Sequence, residues 1–525
     1  MSKRAYDLRG IYSQMETDLI ASMKRNLKRH ENDEKKEGFE WDQWQEKKLQ
    51  DLKQYRIEAS RIVRKAAPVI EATVDQEVKG AFRRGAERVG GLFKRLINKV
   101  IPGRQKPLEV PGVSDDNFFK ANEHRVNSLA SAAQGELRAA NKAILRQTDD
   151  VFRQTIFKSQ VYMNSGAASL NQAIDMATKD FLDKGLDCIT YKDGRRVNVA
   201  SYSEMVLRAS SQRAAFAGEG AKRQELGNPF VLVSAHSNCS ELCLPWQGKV
   251  YIDDVYSGGK ASDGPYPLLS TAMANGLFHP NCRHNMTTFI PGKSRLPEPV
   301  DDAKALASYK QEHRQRYMER QVRKYKRREA GSVDPNNQAA AAAKVKQWQG
   351  KLHSHMKANP ELRRDTNREK ILGGISQAEH NELLKLAAKN AKIKETRAHI
   401  RSDAQPKKIL TGQQNKHVPG TKEYQDYQKR LDQKGQHGPS YLTIPPEKME
   451  ELVQQHAGTG NINLRKGEWD HKETILTNDG VVGKAVNNLT GAEAETTVFA
   501  IHYAKAGVHI VPDYPSKKKG KKSDD

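Results

Sequence analysis

Apolar residues recur at helical spacing on segments that are otherwise charged, and this pattern limits how the first half of the chain can fold. One narrow apolar stripe follows the N-terminus; it consists of Ile11, Met15, Leu19, Ile20, Met23 and Leu27. Such a stripe allows a helix to bury only one face, against another helix of the chain or against another subunit. Because only 37% of the 525 residues are hydrophobic, most of the chain is too polar for one large core. We therefore expect a multidomain protein with a mainly α-helical N-terminal body.

Composition excludes several broad classes of protein. The sequence has no run of 18 or more apolar residues, and its start, MSKRAYDLRG, lacks the apolar region of a signal peptide. We therefore expect neither a membrane span nor a secretion signal. Four cysteines are too few for a disulfide scaffold and indicate a reducing compartment. The formal net charge of +24 predicts a polyanion or an acidic surface as a partner.

Changes of composition divide the chain into six predicted segments. They are a helical region at 1–229, a strand-and-loop region with Cys and His at 230–300, a basic helical region at 301–371, a linker at 372–405, a small α+β domain at 406–515 and a charged tail at 516–525. The strand-and-loop region is itself expected to be a small α+β unit, because strand-like runs there alternate with turn residues. The linker is expected to hold a short helix.

Cysteine and histidine are concentrated in the strand-and-loop region. Three residues separate Cys239 from Cys243, and Cys282 lies in HPNCRH between His279 and His284. Thiolate and imidazole are the ligands that tetrahedral zinc prefers, and two loops that each supply two ligands are a common arrangement. We therefore predict a structural zinc site; its ligands would be Cys239, Cys243, Cys282 and His284, with His279 as a substitute. The alternative is that the cysteines are simply buried beside unrelated histidines.

A basic helix is predicted after Pro299. Eight Lys or Arg residues lie between Arg314 and Arg328, and Tyr309, Tyr317 and Tyr325 are interleaved with them. Phosphates can take the charges and bases can stack on the rings, so the pattern suits nucleic acid, packaged DNA included. A solvated helix face explains the pattern equally well.

The segment VFAIHYAKAGVHIV is predicted to form a β-hairpin. Gly507 can adopt the positive φ that a tight turn needs after Lys505 and Ala506. A two-residue loop, or a four-residue loop, places His502 directly opposite His509, whereas a three-residue bulged loop would break that register. Two adjacent histidines are costly to bury if both are charged. We therefore expect them at an exposed or functional position.

Two or three imidazoles and a lysine can cleave RNA without a metal. A base takes the proton of the ribose 2′-OH, an acid protonates the leaving 5′ oxygen, and a cation stabilises the phosphorane. Histidine suits both proton-transfer roles because its unperturbed pKa is about 6.5. Lys416 and His417, in NKHVPG, could complete such a set with His502 and His509. The alternative is that these histidines lie in a loop and a hairpin without a shared role.

Four motifs within residues 1–370 resemble the phage minor capsid protein family, also described as head morphogenesis or portal-associated proteins. They are SAHSNCSELCLPWQGKVY, YPLLSTAMANGLFHPNCRHNMTTFIPG, YKQEHRQRYMERQVRKYKRR and KVKQWQGKLHSHM, in that order. The resemblance implies a structural protein of the virion near the portal vertex of a tailed-phage head. It implies the portal protein, other capsid subunits and packaged DNA as partners.

A second resemblance covers about 406–515. The motifs NKHVPGTKEY, AGTG and IHYAKAGVHIVP resemble the type 50 domain of bacterial polymorphic toxins. That family is a predicted metal-independent ribonuclease related to barnase, EndoU, colicin and RelE-like nucleases, which implies an α+β ribonuclease-like fold and no cofactor. The site that it implies by position consists of Lys416, His417, His502, Tyr503 and His509. Glu473, in DHKET, is a further candidate, or else a surface carboxylate.

The two resemblances together suggest a head protein whose nuclease enters the host with the DNA and cuts RNA in the host cytoplasm. An immunity protein is then a further candidate partner. An alternative from a different class is a purely structural head protein whose C-terminal domain only binds nucleic acid. A third hypothesis is a zinc-dependent enzyme centred on Cys239 to His284.

Overall fold

The computed structural model describes residues 3–28, 41–100, 118, 122–164, 169–187, 189–190, 194, 196–279, 282–371, 377–477 and 480–514. The chain divides into two compact units. The first comprises Met1–Pro107 with Val126–Leu383, and the second comprises Leu108–Arg125 with Leu384–Asp525. The predicted tail at 516–525 lies outside the described residues.

The first unit is mainly helical. Its helices are α1 (Lys3–Lys28), α2 (Trp41–Val100), α3 (Glu123–Asn164, which begins in the second unit), α4 (Leu170–Lys184), α5 (Val199–Glu225), α6 (Leu269–Ala274), α7 (Asp302–Gly331) and α8 (Pro335–Ala358). The N-terminal stripe lies on α1, and all six of its residues are buried. This confirms the prediction of an amphipathic helix there, because the stripe faces α2, α5 and α7. Among the described residues, no helix is both long and apolar enough to cross a bilayer.

Helices α2 and α5 cross in direct backbone contact. A Cβ atom at Gly85 of α2 would meet the carbonyl oxygen of Ala215 on α5, and a Cβ at Gly218 of α5 would meet the carbonyl oxygen of Phe82. Both glycines are buried. The absence of a side chain at these two positions therefore sets how closely the two helices approach.

Short strands follow α4 and α5 in the first unit. Strands β1 (Ile189–Thr190) and β2 (Arg196–Val197) pair with each other in antiparallel orientation. Strands β3 (Phe230–Val233), β4 (Val250–Ile252) and β5 (Met286–Thr288) form an antiparallel sheet in the order β4-β3-β5. The fully buried Arg223 at the end of α5 donates to Asp253, which follows β4, at 2.7 Å. This ion pair connects the sheet to the helical body.

The basic segment from Arg314 to Arg328 lies on α7 and is largely engaged within the first unit. Arg316 forms an ion pair with Glu319 at 2.8 Å. Arg327 donates to the carbonyl of Leu182 at 3.0 Å. The number of charges that this segment offers to nucleic acid is therefore smaller than its sequence indicates.

The second unit is a small α+β domain. Most of helix α9 (Gln377–Arg401) belongs to it, and α10 (Thr411–Gln414), a 3-10 turn (Asn415–His417), α11 (Lys422–Asp432), β6 (Tyr441–Leu442) and α12 (Pro446–His456) follow. The remaining strands are β7 (Asn461–Arg465), β8 (Glu468–Leu476), β9 (Gly483–Val486), β10 (Glu493–Thr496), β11 (Val498–Ala504) and β12 (Gly507–Pro512). They form two antiparallel sheets, β12-β11-β8-β7 and β10-β9-β6. The prediction of a helical body followed by an α+β domain is thus confirmed.

The core of the second unit lies on one face of its larger sheet. Ile501 and Ile510 on that face pack with Leu452 and Val453 of α12. Ile400, at the end of α9, belongs to the same core and is fully buried. Helix α9 occupies most of the predicted 372–405 linker and is longer than the short helix expected there, because its last turns contribute to this core.

Candidate functional site

The hairpin of β11 and β12 places two histidines side by side. Ala504 pairs with Gly507 around a two-residue loop, and His502 is directly opposite His509. Their ring centroids are 4.7 Å apart. The register predicted from the sequence is confirmed. Since neighbouring residues of a strand alternate between faces, both imidazoles lie on the face opposite the core.

Lys472 of β8 extends this pair across the sheet. It is directly opposite His502 in the β8–β11 ladder, so its side chain shares the face of the histidines. Lys472 is not among the site residues predicted from the sequence. Its only signal was its place beside Glu473 in DHKET, and the pairing of β8 with β11 cannot be read from either strand alone.

His417 lies beside His509 on the other side. The 3-10 turn that carries it packs near β12, and the two rings are parallel with centroids 6.0 Å apart. Nδ1 of His417 is 2.8 Å from the carbonyl oxygen of Ser440. A carbonyl only accepts, so Nδ1 carries the proton and Nε2 keeps a lone pair in the neutral ring. We call Lys472, His502, His509 and His417 the cationic row.

The electrostatics of the row favour neutral imidazoles at His509 and His417. Burial, together with the smaller effects of His417, Lys416 and Lys472, lowers the pKa of His509 to about 4. Burial also lowers the pKa of His417. Both rings are therefore uncharged at neutral pH and can accept a proton.

A cavity of about 480 Å³ opens beside the row. His502 and Lys472 line it together with polar side chains; these are Ser440, Asn463, Asn487, Asn488, Asp513 and Tyr514. Amide and hydroxyl groups around a lysine and an imidazole can bind a phosphate ester with its sugar or base. The arrangement can therefore hold a polar substrate against two ionisable groups.

Tyr503 and Glu473 lie on the opposite, buried face of the sheet. The Tyr503 hydroxyl donates to Glu473 at 2.6 Å, and the same carboxylate accepts from the backbone N–H groups of Gly458 and Gly460. Glu473 is fully buried. The structure thus separates Tyr503 from the imidazoles, and the contacts of Glu473 connect β8 and β11 to the AGTG turn. Burial raises the pKa of Tyr503, which keeps its hydroxyl protonated.

Lys416 precedes His417 and lies at the end of the row. Its ammonium group donates to Gln413 at 2.7 Å, and its charge contributes to the lowered pKa of His509. The structure therefore brings together four of the five residues that the toxin resemblance implied. They are Lys416, His417, His502 and His509.

A second cluster lies in the first unit. Three ligand atoms, from Cys243, Cys282 and His284, lie within 4.8 Å of one another. Cys239 is buried beside them, with its sulfur 3.8 Å from Nε2 of His284. His279 donates to or accepts from Ser240 Oγ at 3.0 Å through Nε2. The predicted cysteine and histidine residues therefore converge in space.

The thiols of this cluster are free and differ in acidity. The three cysteines form no disulfide. Burial raises the pKa of Cys239 to about 12. Hydrogen bonding with Cys282 lowers the pKa of Cys243, and the same contact raises the pKa of Cys282. One of the two sulfurs is thus poised to be a thiolate.

Comparison with known families gives two matches on this chain. The model described as phage minor capsid protein 2 matches residues 2–357, and the model described as bacterial toxin 50 matches residues 409–512. The second range contains the whole cationic row. The boundary between the two matches agrees with the change from the helical body to the α+β domain.

Two curated proteins are similar to parts of the chain. A structural protein of Lactococcus phage LL-H is 24% identical over 341 residues, which cover 62% of this chain and 88% of that protein. A structural protein of Lactococcus phage mv4 is 30% identical over 95 residues, which cover 17% of this chain and 77% of that protein. No solved structure matches the chain significantly.

Proposed function

This chain belongs to the phage minor capsid protein 2 family and carries a C-terminal domain of the bacterial toxin 50 family, and from that premise we propose that it is a virion protein with a metal-independent endoribonuclease. Family membership makes it a structural component of the virion, with other capsid subunits as its partners. The cleavage of RNA, the position near the portal vertex and the delivery to the host are our proposals.

The cationic row is the observation that carries the nuclease proposal. It places two imidazoles and one ammonium group side by side on one sheet face, next to the imidazole of His417 and beside a cavity with polar walls. RNA cleavage through its own 2′-OH needs a base, an acid and a cation, and no other reactant. A small α+β domain with antiparallel sheets also suits the barnase, EndoU, colicin and RelE-like group of nucleases.

His509 is our candidate for the base. It is neutral at pH 7 because its pKa is about 4, and it is flanked by His417 and His502. It would take the proton from the ribose 2′-OH while the 2′ oxygen attacks phosphorus. His417, whose tautomer is set by Ser440, would hold the ring of His509 by stacking and keep it uncharged.

His502 and Lys472 are our candidates for the acid and the cation. Both line the cavity, and the two residues are directly paired across β8 and β11. Protonated His502 would give its proton to the leaving 5′ oxygen as the P–O bond breaks. Lys472 would stabilise the charge on the phosphorane. The products would be a 2′,3′-cyclic phosphate and a free 5′-hydroxyl end.

The order of the two parts supports the proposed place in the virion. A capsid-family body of residues 2–357 precedes the toxin-family domain at 409–512 on one chain. We propose that the body anchors the protein near the portal, so that the nuclease leaves the head with the DNA. RNA in the host cytoplasm would then be the substrate.

The direct test uses the purified full-length chain with total RNA or tRNA in the presence of EDTA. We expect cleavage that continues in EDTA and leaves 2′,3′-cyclic phosphate ends. The variants His502→Ala and His509→Ala should each lower the rate by about 10²–10⁴-fold, the usual contribution of a general acid or base. His437→Ala is the matched control, because His437 is an exposed histidine of the same unit that does not line the cavity.

Two results would contradict the proposal. One is a folded protein that binds RNA but leaves it intact, which would favour a structural head protein with a nucleic-acid-binding domain. The other is RNA cleavage that continues at the wild-type rate in both histidine variants, which would show that the catalytic residues lie outside the cationic row.

A further inference from the structure

We propose that Cys243, Cys282 and His284 bind a structural zinc ion in the first unit and that Cys239 completes a tetrahedral set of ligands. The two loops that carry these residues leave the same end of the small sheet. Val233, the last residue of β3, pairs with Met286, the first residue of β5. The loop after β3 and the loop before β5 therefore start side by side, and their ligands meet there.

The spacing of the ligand atoms fits zinc. Tetrahedral bonds of about 2.3 Å to sulfur and about 2.0–2.1 Å to nitrogen separate two sulfurs by about 3.8 Å, and a sulfur from a nitrogen by about 3.5 Å. The sulfurs of Cys243 and Cys282 are 3.5 Å apart. The sulfur of Cys282 is 3.3 Å from Nδ1 of His284. Both distances are within a few tenths of an ångström of the expected values.

The orientation of His284 is fixed from outside the cluster. Oε1 of Gln247 accepts from the backbone N–H of His236 at 2.9 Å and lies 3.0 Å from Nε2 of His284. Since Oε1 can only accept, Nε2 carries the proton and the lone pair of Nδ1 points toward Cys282. Metal-binding histidines are typically held in this way, by a hydrogen bond from the second ring nitrogen.

Cys239 is the best candidate for the fourth ligand. It is 2% exposed, and its sulfur contacts Cys243, one of the three ligands. His279 also contacts Cys243, but this ring is only half-buried. Three cysteines and one histidine are a common set for structural zinc.

A metal would stabilise the two loops rather than the sheet itself. Strands β3, β4 and β5 have four, three and three residues, and their apolar side chains pack with Phe216 of α5. The three cysteines form a separate buried cluster, and a metal can hold together the loops that carry them. The ion would also secure the start of α7, because the N–H of Cys239 donates to the carbonyl of Ala305.

The experiment uses the full-length chain, purified with reductant and without chelator. We expect about one zinc per chain by mass spectrometry of the metal. After removal of zinc, added Co²⁺ should give the visible d–d bands of a tetrahedral site and a thiolate charge-transfer band. Cys243→Ser, Cys282→Ser and His284→Ala should lose the zinc. The control is Cys188→Ser, which removes the one cysteine that the proposal does not use.

A second measurement covers the case in which these variants fail to fold. A strong chelator added to the wild-type chain should lower the melting temperature of the first unit, and zinc should restore it. Cys239→Ser should weaken zinc retention more than His279→Ala does; the reverse order would overturn the choice of Cys239. A wild-type chain without zinc or a cobalt spectrum, or zinc that persists after His284→Ala and Cys243→Ser, would overturn the site itself.

Discussion

At the scale of single residues, the cationic row shows how a sheet can keep a histidine uncharged. His509 has charged or ionisable neighbours on both sides, and each makes a proton on its own ring less favourable. Burial is the larger cause, and Lys416, His417 and Lys472 add to it. A base that stays neutral well below pH 7 can work throughout the physiological range.

The depressed pKa of His509 predicts that acid destabilises the second unit. The folded pKa of about 4 is below the unfolded value near 6.5, so the unfolded chain binds this proton first as pH falls. The contribution of this shift to the free energy of unfolding is complete above about pH 6.5 and is lost progressively down to about pH 4. Between pH 7 and 5 we expect a loss on the order of 1–2 kcal/mol, after allowance for the partial exposure of the ring.

Pulse proteolysis in urea can measure this loss on peptides from 409–512 in the full chain. His509→Asn should be less sensitive to the same change of pH, since asparagine does not titrate. His437→Asn should keep the sensitivity of the wild type. If the free energy of unfolding falls equally with pH in the wild type and in His509→Asn, another group is responsible for the loss.

Strand alternation explains how much of this site the sequence could predict. A two-residue loop is a local feature, so the opposition of His502 and His509 followed from residues close in the chain. Lys472 reaches His502 through pairing of β8 with β11, which depends on the packing of the whole domain. The separation of Tyr503 from the row is a consequence of the same alternation, because adjacent residues point to opposite faces.

At the scale of secondary structure, the contact of α2 with α5 depends on glycine rather than on apolar side chains. The helical stripes were visible in the sequence because their period is regular. The close approach at Gly85 and Gly218 was not visible in the sequence, because a helix can also tolerate a glycine that has no packing role. Only the neighbouring helix shows which glycines have no room for a Cβ atom.

Two glycines of the same helix provide a matched test of this contact. Gly85→Ala should destabilise the first unit by about 1–3 kcal/mol, because its Cβ would meet the backbone of Ala215. Gly91→Ala should be neutral or stabilising by up to about 1 kcal/mol, because no atom of the described residues lies within 4 Å of its Cβ position and alanine favours the helix. Thermal unfolding followed by circular dichroism compares the two. Similar effects would contradict a close approach of α2 and α5.

At the scale of the whole molecule, the net charge of +24 divides into internal and external parts. Several arginines of α7 neutralise carboxylates or bind backbone carbonyls inside the first unit, as Arg316 and Arg327 do. In the second unit, Lys472 remains exposed next to the cavity. The net charge therefore predicted a polyanionic partner, but it did not show which charged side chains are available to bind that partner.

The separation of the two families on one chain predicts that assembly and RNA cleavage can be uncoupled. A phage whose gene carries both His502→Ala and His509→Ala should form heads in normal number, because the substitutions lie outside the capsid-family residues 2–357. The protein should still be found in purified virions by mass spectrometry. RNA from infected cells should lack the fragments with 2′,3′-cyclic ends that the wild-type phage produces. If the variant phage produces the same fragments as the wild-type phage, another protein cleaves the RNA. If the variant phage forms no heads, the C-terminal domain has a structural role.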